Sequence, residues 1–171
     1  MLFLLRRLND LLERVALSTV VAMVAVMCSL IFAQAMGRYV FHFSITWSEE
    51  LARFLLVWVS MLGGAIAARR RMHVGFESLV EALPAPAGYS ARALAGSAAI
   101  FVVSVMAWHG FKLARFNMLQ RSAALEWPMG VPYAAIPAGA LLLVLFLLEE
   151  LGNTVAGRGT HPPGGEQGEW S

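Results

Sequence analysis

Four stretches of this chain run without a charged side chain, and their lengths limit what it can fold into. Val15 to Gly37 lies between Arg14 and Arg38, Phe54 to Ala68 between Arg53 and Arg69, Ala93 to Phe111 between Arg92 and Lys112, and Trp127 to Leu148 between Glu126 and Glu149. A bilayer core about 30 Å thick takes roughly 20 apolar residues in a helix that rises about 1.5 Å per residue. The second stretch falls short of that, so its helix must begin earlier and carry Glu49, Glu50 and Arg53 in its first turns. Thr46 with Glu49 three residues on reads as a capping box, which puts Trp47 at the headgroup level where tryptophan is enriched. Spans are expected at about 15–37, 47–68, 93–115 and 127–150. Composition agrees: 58% of the residues are hydrophobic and only 14% charged, against about a quarter charged in soluble domains. Mean hydropathy is +0.65.

One further segment is amphipathic and too short to span. In 73–83, Phe76, Leu79, Val80 and Leu83 fall at i, i+3, i+4 and i+7, with Glu77 and Glu81 on the other side. That stripe predicts a helix lying in the membrane interface, ended by Pro84-Ala85-Pro86-Ala87-Gly88. The expected fold class is therefore all-α integral membrane, with four transmembrane helices plus one amphipathic interfacial helix. It forms a single membrane domain over 1–156, followed by a Gly- and Pro-rich tail, 157–171, of disordered composition. Ala33-Gln34-Ala35 resembles a signal-peptidase site. The apolar stretch before it is longer than the usual 7 to about 15 residues, and Asp10 and Glu13 precede it, so cleavage is not expected.

Orientation follows the bias of Lys and Arg near span ends. With a cytoplasmic N-terminus the inner side collects Arg6, Arg7, Arg14, Arg69, Arg70, Arg71, Arg92 and Arg158; the outer side receives Arg38, Arg53, Lys112, Arg115 and Arg121. Both termini are expected in the cytoplasm. Arg69, Arg70 and Arg71, together with Phe76, Leu79, Val80 and Leu83, then form a cytoplasmic membrane anchor.

No residue pattern points to catalysis. Cys28 is the only cysteine, and His42, His73, His109 and His161 are scattered, so neither a cysteine cluster nor a paired-histidine haem site is expected. Phosphate-binding loops and nucleophile elbows are missing. The basic residues form no long stripe interleaved with aromatics, which argues against nucleic acid. No catalytic residue, cofactor or metal is assigned. The informative charges are Glu49, Glu50 and Arg53: both carboxylates precede the arginine, at i, i+4 and i, i+3, near the positive end of the helix dipole. A self-paired solvated helix start and a patch that pairs with another subunit both fit. Gly63 and Gly64 likewise fit either close contact within the chain or docking of a partner. Pro137, deep in the fourth stretch, should kink that helix or free a carbonyl.

Taken together, Arg38-Tyr39-Val40-Phe41, the element Trp47-Ser48-Glu49-Glu50-Leu51-Ala52-Arg53, Trp58 to Ala68 with Gly63, Arg69-Arg70 and His73-Val74 occur in a telling order. They are followed by Gln120-Arg121-Ser122-Ala123-Ala124-Leu125-Glu126-Trp127-Pro128, Tyr133 and Pro137. Over residues 10 to 150 the chain resembles the small membrane subunit, DctQ type, of tripartite ATP-independent periplasmic (TRAP) transporters. That resemblance implies a non-enzymatic, multi-pass subunit of the bacterial inner membrane, embedded in membrane lipids and bound to a large permease subunit. It would brace that partner and help dock a periplasmic substrate-binding protein during sodium-coupled uptake of an organic acid. With the charge spacing and the small residues, it makes Trp47, Glu49, Glu50, Arg53, Gly63, Gly64, Ser122, Leu125, Pro128 and Tyr133 the candidate positions of an interface with the large subunit or the binding protein. The alternative, a self-sufficient small transporter or channel, would need polar groups near the membrane midplane, where only Pro137 and scattered serines are available.

Overall fold

The computed structural model describes residues 2–43, 46–75 and 85–155. They form helices α1 (Leu2–Tyr39), α2 (Thr46–Gly75), α3 (Ala85–Phe116), a 3-10 turn (Asn117–Leu119), the short α4 (Gly130–Tyr133) and α5 (Ala135–Val155). Four segments are long and apolar enough to cross a membrane: Leu5–Tyr39, Thr46–Arg70, Leu94–Leu119 and Gly130–Asn153. The serine and threonine hydroxyls inside the first are satisfied locally. Ser18, Thr19 and Ser29 donate to the carbonyls of Arg14, Val15 and Ala25, four residues back, so none presents an unpaired donor to lipid.

Helix α1 lies against α2, α2 against α5, and α5 against α3; α1 also touches α5, while among the described residues α3 meets neither α1 nor α2. The helices thus stand in one row, α1–α2–α5–α3, rather than closing into a bundle. The apolar centre lies where α1, α2 and α5 meet, at Ala16, Ala65, Ile66, Leu142 and Phe146. Leu12, Val20, Leu62 and Leu143 flank it. Large side chains such as Phe32 on α1 and Phe101 and Trp108 on α3 are left exposed. In water such a surface would be untenable; in lipid it costs little, because acyl chains are as apolar as leucine.

Close approach within the row depends on glycine. A Cβ at Gly139 on α5 would stand 2.8 Å from the Met61 carbonyl oxygen and 2.9 Å from the Met61 Cβ on α2. At Gly110 on α3 it would stand 2.6 Å from Ile136 Cγ2 on α5. At Gly63 and Gly64 a Cβ would meet nothing within 4 Å. Among the described residues, then, nothing packs closely against that pair.

Several boundaries differ from those expected. The fourth crossing starts at Gly130, not Trp127, because the residues before it form a pinned loop. It is then interrupted at Ala134, between α4 and α5. Pro137 has no N–H to give the Tyr133 carbonyl four residues earlier, and the ladder resumes with Ala138 N–H donating to the Ala134 carbonyl at 3.2 Å. Helix α3 begins at Ala85, so Pro86 stands in its first turn, where a missing amide proton is harmless. Helix α2 runs on through Gly75, so His73 to Gly75 extend it. The rest of the amphipathic segment, with Phe76, Leu79, Val80 and Leu83, and the tail lie outside the described residues.

Replacing Gly139 with Ala should force α2 and α5 apart and lower the thermal stability of the purified chain in detergent, at a cost of about 1–3 kcal/mol. Gly64→Ala should leave the melting temperature unchanged or slightly higher. Equal melting of the two variants would contradict this helix crossing.

Candidate functional site

Two polar assemblies stand at opposite ends of the row. The first joins the start of α2 to the loop between α3 and α4. That loop is a small closed turn: Arg121 bridges Pro128, Ser122 N–H donates to the Trp127 carbonyl at 2.9 Å, and Met129 N–H to the Gln120 carbonyl at 2.8 Å. The Ser122 hydroxyl, buried, accepts from Trp127 N–H at 3.3 Å, and the Arg121 guanidinium donates to the Glu126 carbonyl at 2.9 Å. Closing so tightly takes Glu126 into the left-handed region at φ 55°. The amides of Ala124 and Leu125 then point away from the loop, and both donate to Oε2 of Glu50 at 2.9 Å. One carboxylate oxygen on α2 thus holds two amides 74 and 75 residues away. Hydrogen bonds to an ionised group are about twice as strong as neutral ones.

Glu49 does different work. Its Oε1 accepts from the Gln34 side-chain amide of α1 at 2.6 Å, and the buried Ser48 hydroxyl donates to the Gln34 carbonyl oxygen at 3.1 Å. Its Oε2 lies 3.6 Å from Arg53, the i, i+4 pair, with the two side chains 53% and 76% exposed. A pair that open is worth a few tenths of a kcal/mol, at most about 1. Of the two pairings the spacing allowed, Arg53 takes Glu49, and Glu50 is committed to the loop.

The second assembly closes the other end. Arg69 on α2 has a side chain only 14% exposed and reaches three acids: Asp10 at 2.7 Å, Glu13 at 3.0 Å and Glu149 at 3.4 Å. It also donates to the Asn9 main-chain carbonyl at 2.6 Å. Its guanidinium carbon lies 4.7 Å from the Phe146 ring centroid, a cation–π contact favoured by exclusion of water. Asn9, fully buried, donates from its amide nitrogen to Glu149 at 2.7 Å and to the Leu145 carbonyl at 3.1 Å. Arg70 turns outward and pairs with Glu13 at 3.0 Å. This cluster ties α1, α2 and α5 together.

Sequence reasoning expected Arg69, Arg70 and Arg71 to act as a surface anchor. Arg69 is instead the centre of a buried ion network, and Arg71 continues α2. Asn9, Asp10, Glu13 and Glu149 were missed. Part of their signal was present: the second apolar stretch ends on an arginine, Arg69, and the fourth on an acid, Glu149. Gln34 was also missed, although it is the only amide in the first charge-free stretch. The other expected positions fall in two places. Trp47, exposed, and Ser122, Leu125 and Pro128 gather with Glu49 and Glu50 at the loop end, with Tyr133 on α4 beyond them. Gly63 and Gly64 lie apart, in mid-helix. Among the described residues no three His, Cys, Asp or Glu side chains come together as metal ligands.

Membrane-length helices in an open row, with their polar contacts concentrated near the two ends, define a multi-pass α-helical membrane protein. Its particular family is given by a match over residues 27–157 to the DctQ component of tripartite ATP-independent periplasmic transporters. The chain belongs to that family, whose members are small permease subunits of the bacterial inner membrane. It is 32% identical over 108 residues to the C4-dicarboxylate TRAP transporter small permease protein DctQ of Rhodobacter capsulatus, covering 62% of this chain and 48% of that one. Against the Vibrio cholerae protein of the same description it is 28% identical over 158 residues, covering 77% and 67%. It is 25% identical over 144 residues to the isethionate TRAP transporter permease protein DctMQ of Oleidesulfovibrio alaskensis, covering 78% of this chain but 23% of that much longer one. The chain thus spans about half of the first of these relatives and about a quarter of the last.

Substituting Arg69 with Met should strand Glu149 and Asn9 without their cation. Breaking a buried pair from one side costs about 3–5 kcal/mol, so the chain should lose most of its thermal stability in detergent. Arg70→Gln, at a site 57% exposed, should cost less than about 1 kcal/mol. Similar melting of the two variants would show that the network is not the tie described.

Proposed function

We propose that the chain is the small subunit that braces a large TRAP permease subunit in the inner membrane and helps present the transporter to its periplasmic binding protein. The observation that carries this reading is the open row with Gly63 and Gly64 uncovered: glycine costs helix stability wherever nothing approaches it closely. A partner helix seated there would supply the missing contact, as small residues do between helices in lipid. A permease protein in which a segment similar to this chain is about a quarter of the length supports a small-subunit role beside a larger membrane part.

The loop end is the proposed docking surface for the binding protein. Glu50 gives that surface a fixed shape, and Trp47, Arg53, Arg121, Glu126 and Trp127 are exposed around it. With both termini in the cytoplasm, as the arginine bias favours, this end faces the periplasm and the Arg69 cluster faces inward. The transported compound is proposed to be an organic acid taken up with sodium. In support, similar proteins are described as serving isethionate, C4-dicarboxylates and sialic acid.

Two substitutions separate the roles. Gly64→Leu should leave the melting of the isolated chain unchanged but weaken co-purification with the large subunit by at least about fivefold, the equivalent of an overpacked contact. Glu50→Ala should keep that complex and reduce uptake and binding-protein association. Full complex recovery in Gly64→Leu would remove the bracing surface from α2, and normal uptake in Glu50→Ala would remove the docking surface from the loop.

A further inference from the structure

Helix α3 carries a second surface that neither bracing nor docking uses. Its buried side, Ala107, Gly110 and Ala114, faces α5 and α4. The rest of the helix is exposed nearly all round, Val102, Met106, Phe111 and Leu113 included, and one stripe of this apolar surface leads to two cations. Leu94, Phe101, Val105 and Trp108 follow one another, Phe101 being 70% and Trp108 61% exposed, and the stripe ends on Lys112 and Arg115, both exposed. At 3.6 residues per turn, Trp108, Lys112 and Arg115 fall within an arc of roughly 60°. From Leu94 to Arg115 the stripe is about 30 Å long.

Among the described residues its two cations have no anionic partner. The Lys112 ammonium lies 5.0 Å from the ring centroid of Trp108, four residues earlier on the helix. Neither Lys112 nor Arg115 makes an ion pair among the described residues, in contrast to Arg69 and Arg70 at the other end. Helix α3 contains no acidic residue at all. A cation held beside a lipid-facing aromatic surface is expensive without an anion. The helix dipole favours basic groups in the last turn, and the lean of helical side chains toward the preceding turn brings Lys112 over Trp108, so the ring and both cations share one face.

We propose that this stripe is a binding site for one anionic phospholipid. The phosphate sits between Lys112 and Arg115, Trp108 lies at the glycerol level, and an acyl chain follows Val105, Phe101 and Leu94. The match is one of shape as well as charge: an apolar track ending in an aromatic ring and two cations has the layout of a lipid, tail then interface then headgroup.

The test uses the purified full-length chain and native mass spectrometry with added dioleoyl phosphatidylglycerol or dioleoyl phosphatidylcholine. Phosphatidylglycerol should be retained roughly tenfold better, the effect of two cations at a membrane surface. Lys112→Gln with Arg115→Gln should reduce retention to the phosphatidylcholine level, and the charge-preserving Lys112→Arg with Arg115→Lys should keep it. The single variants should fall part of the way, and they carry the test if the double variant does not fold. Excess inorganic phosphate should not displace the lipid. Equal retention of the two lipids, or retention unchanged in the Gln variants, would overturn the site. Displacement by phosphate alone would reduce it to a simple anion site. Loss of a protein partner in the double variant with phosphatidylglycerol retention intact would assign the cations to that protein.

Discussion

The row of helices depends on the contact that α5 makes with both of its neighbours. Lipid offers no hydrophobic drive for helix association, so helices hold together only where their backbones come close enough for dense contact or where polar groups pair. Gly139 lets α5 lie against the Met61 main chain of α2, and Gly110 lets α3 lie against Ile136 and Pro137 of α5. The interruption at Ala134 falls between these two contacts and the loop. Proline thus sets the interruption and glycine sets the separation, and α1 is added through its contacts with α2 and with the part of α5 around Leu142 and Phe146.

Polar contacts then lock the two ends. In a medium of low dielectric constant an unpaired charge is costly and a paired one is strongly held. Arg69 with Asp10, Glu13 and Glu149 stops α1, α2 and α5 from sliding at one end. Glu50 with Ala124 and Leu125, and Gln34 with Glu49, do the same at the other. Between these ends the faces of the row stay apolar and largely uncovered. Such an arrangement is stiff along the membrane normal yet open at its sides, and that combination suits a component that holds a larger partner in register.

The helical crossings were legible because charge is excluded from lipid, so the gaps between charges mark the helices along the chain. The resemblance at Trp47 to Arg53 and Gln120 to Pro128 marked the family from a handful of side chains. What could not be read was which charges meet. Glu149 closes the fourth apolar stretch and Arg69 the second, but only the row order α1–α2–α5–α3 brings them together across 80 residues. Glu50 looked like half of a local pair with Arg53 because helix spacing is visible in sequence, whereas two loop amides over 70 positions away are not. Gly139 and Gly110, which carry the close helix contacts, have no sequence signal that sets them apart, because only the third dimension separates glycines that touch a neighbour from those that do not.

The open row is the claim on which bracing, docking and the lipid stripe all rest. Disulfide cross-linking in membranes tests it most directly, in a Cys28→Ser background so that introduced pairs are the only thiols. A pair at Gly96 and Leu151, where a Cβ on α3 would stand 3.5 Å from the α5 side chain, should cross-link readily, as should pairs between α1 and α2 around Ala16 and Ala65. No pair between α1 and α3 should cross-link within one chain at any depth. Efficient intrachain cross-linking of α1 to α3 would mean that the helices close into a four-helix bundle, and the uncovered faces assigned to a partner and to lipid would not exist.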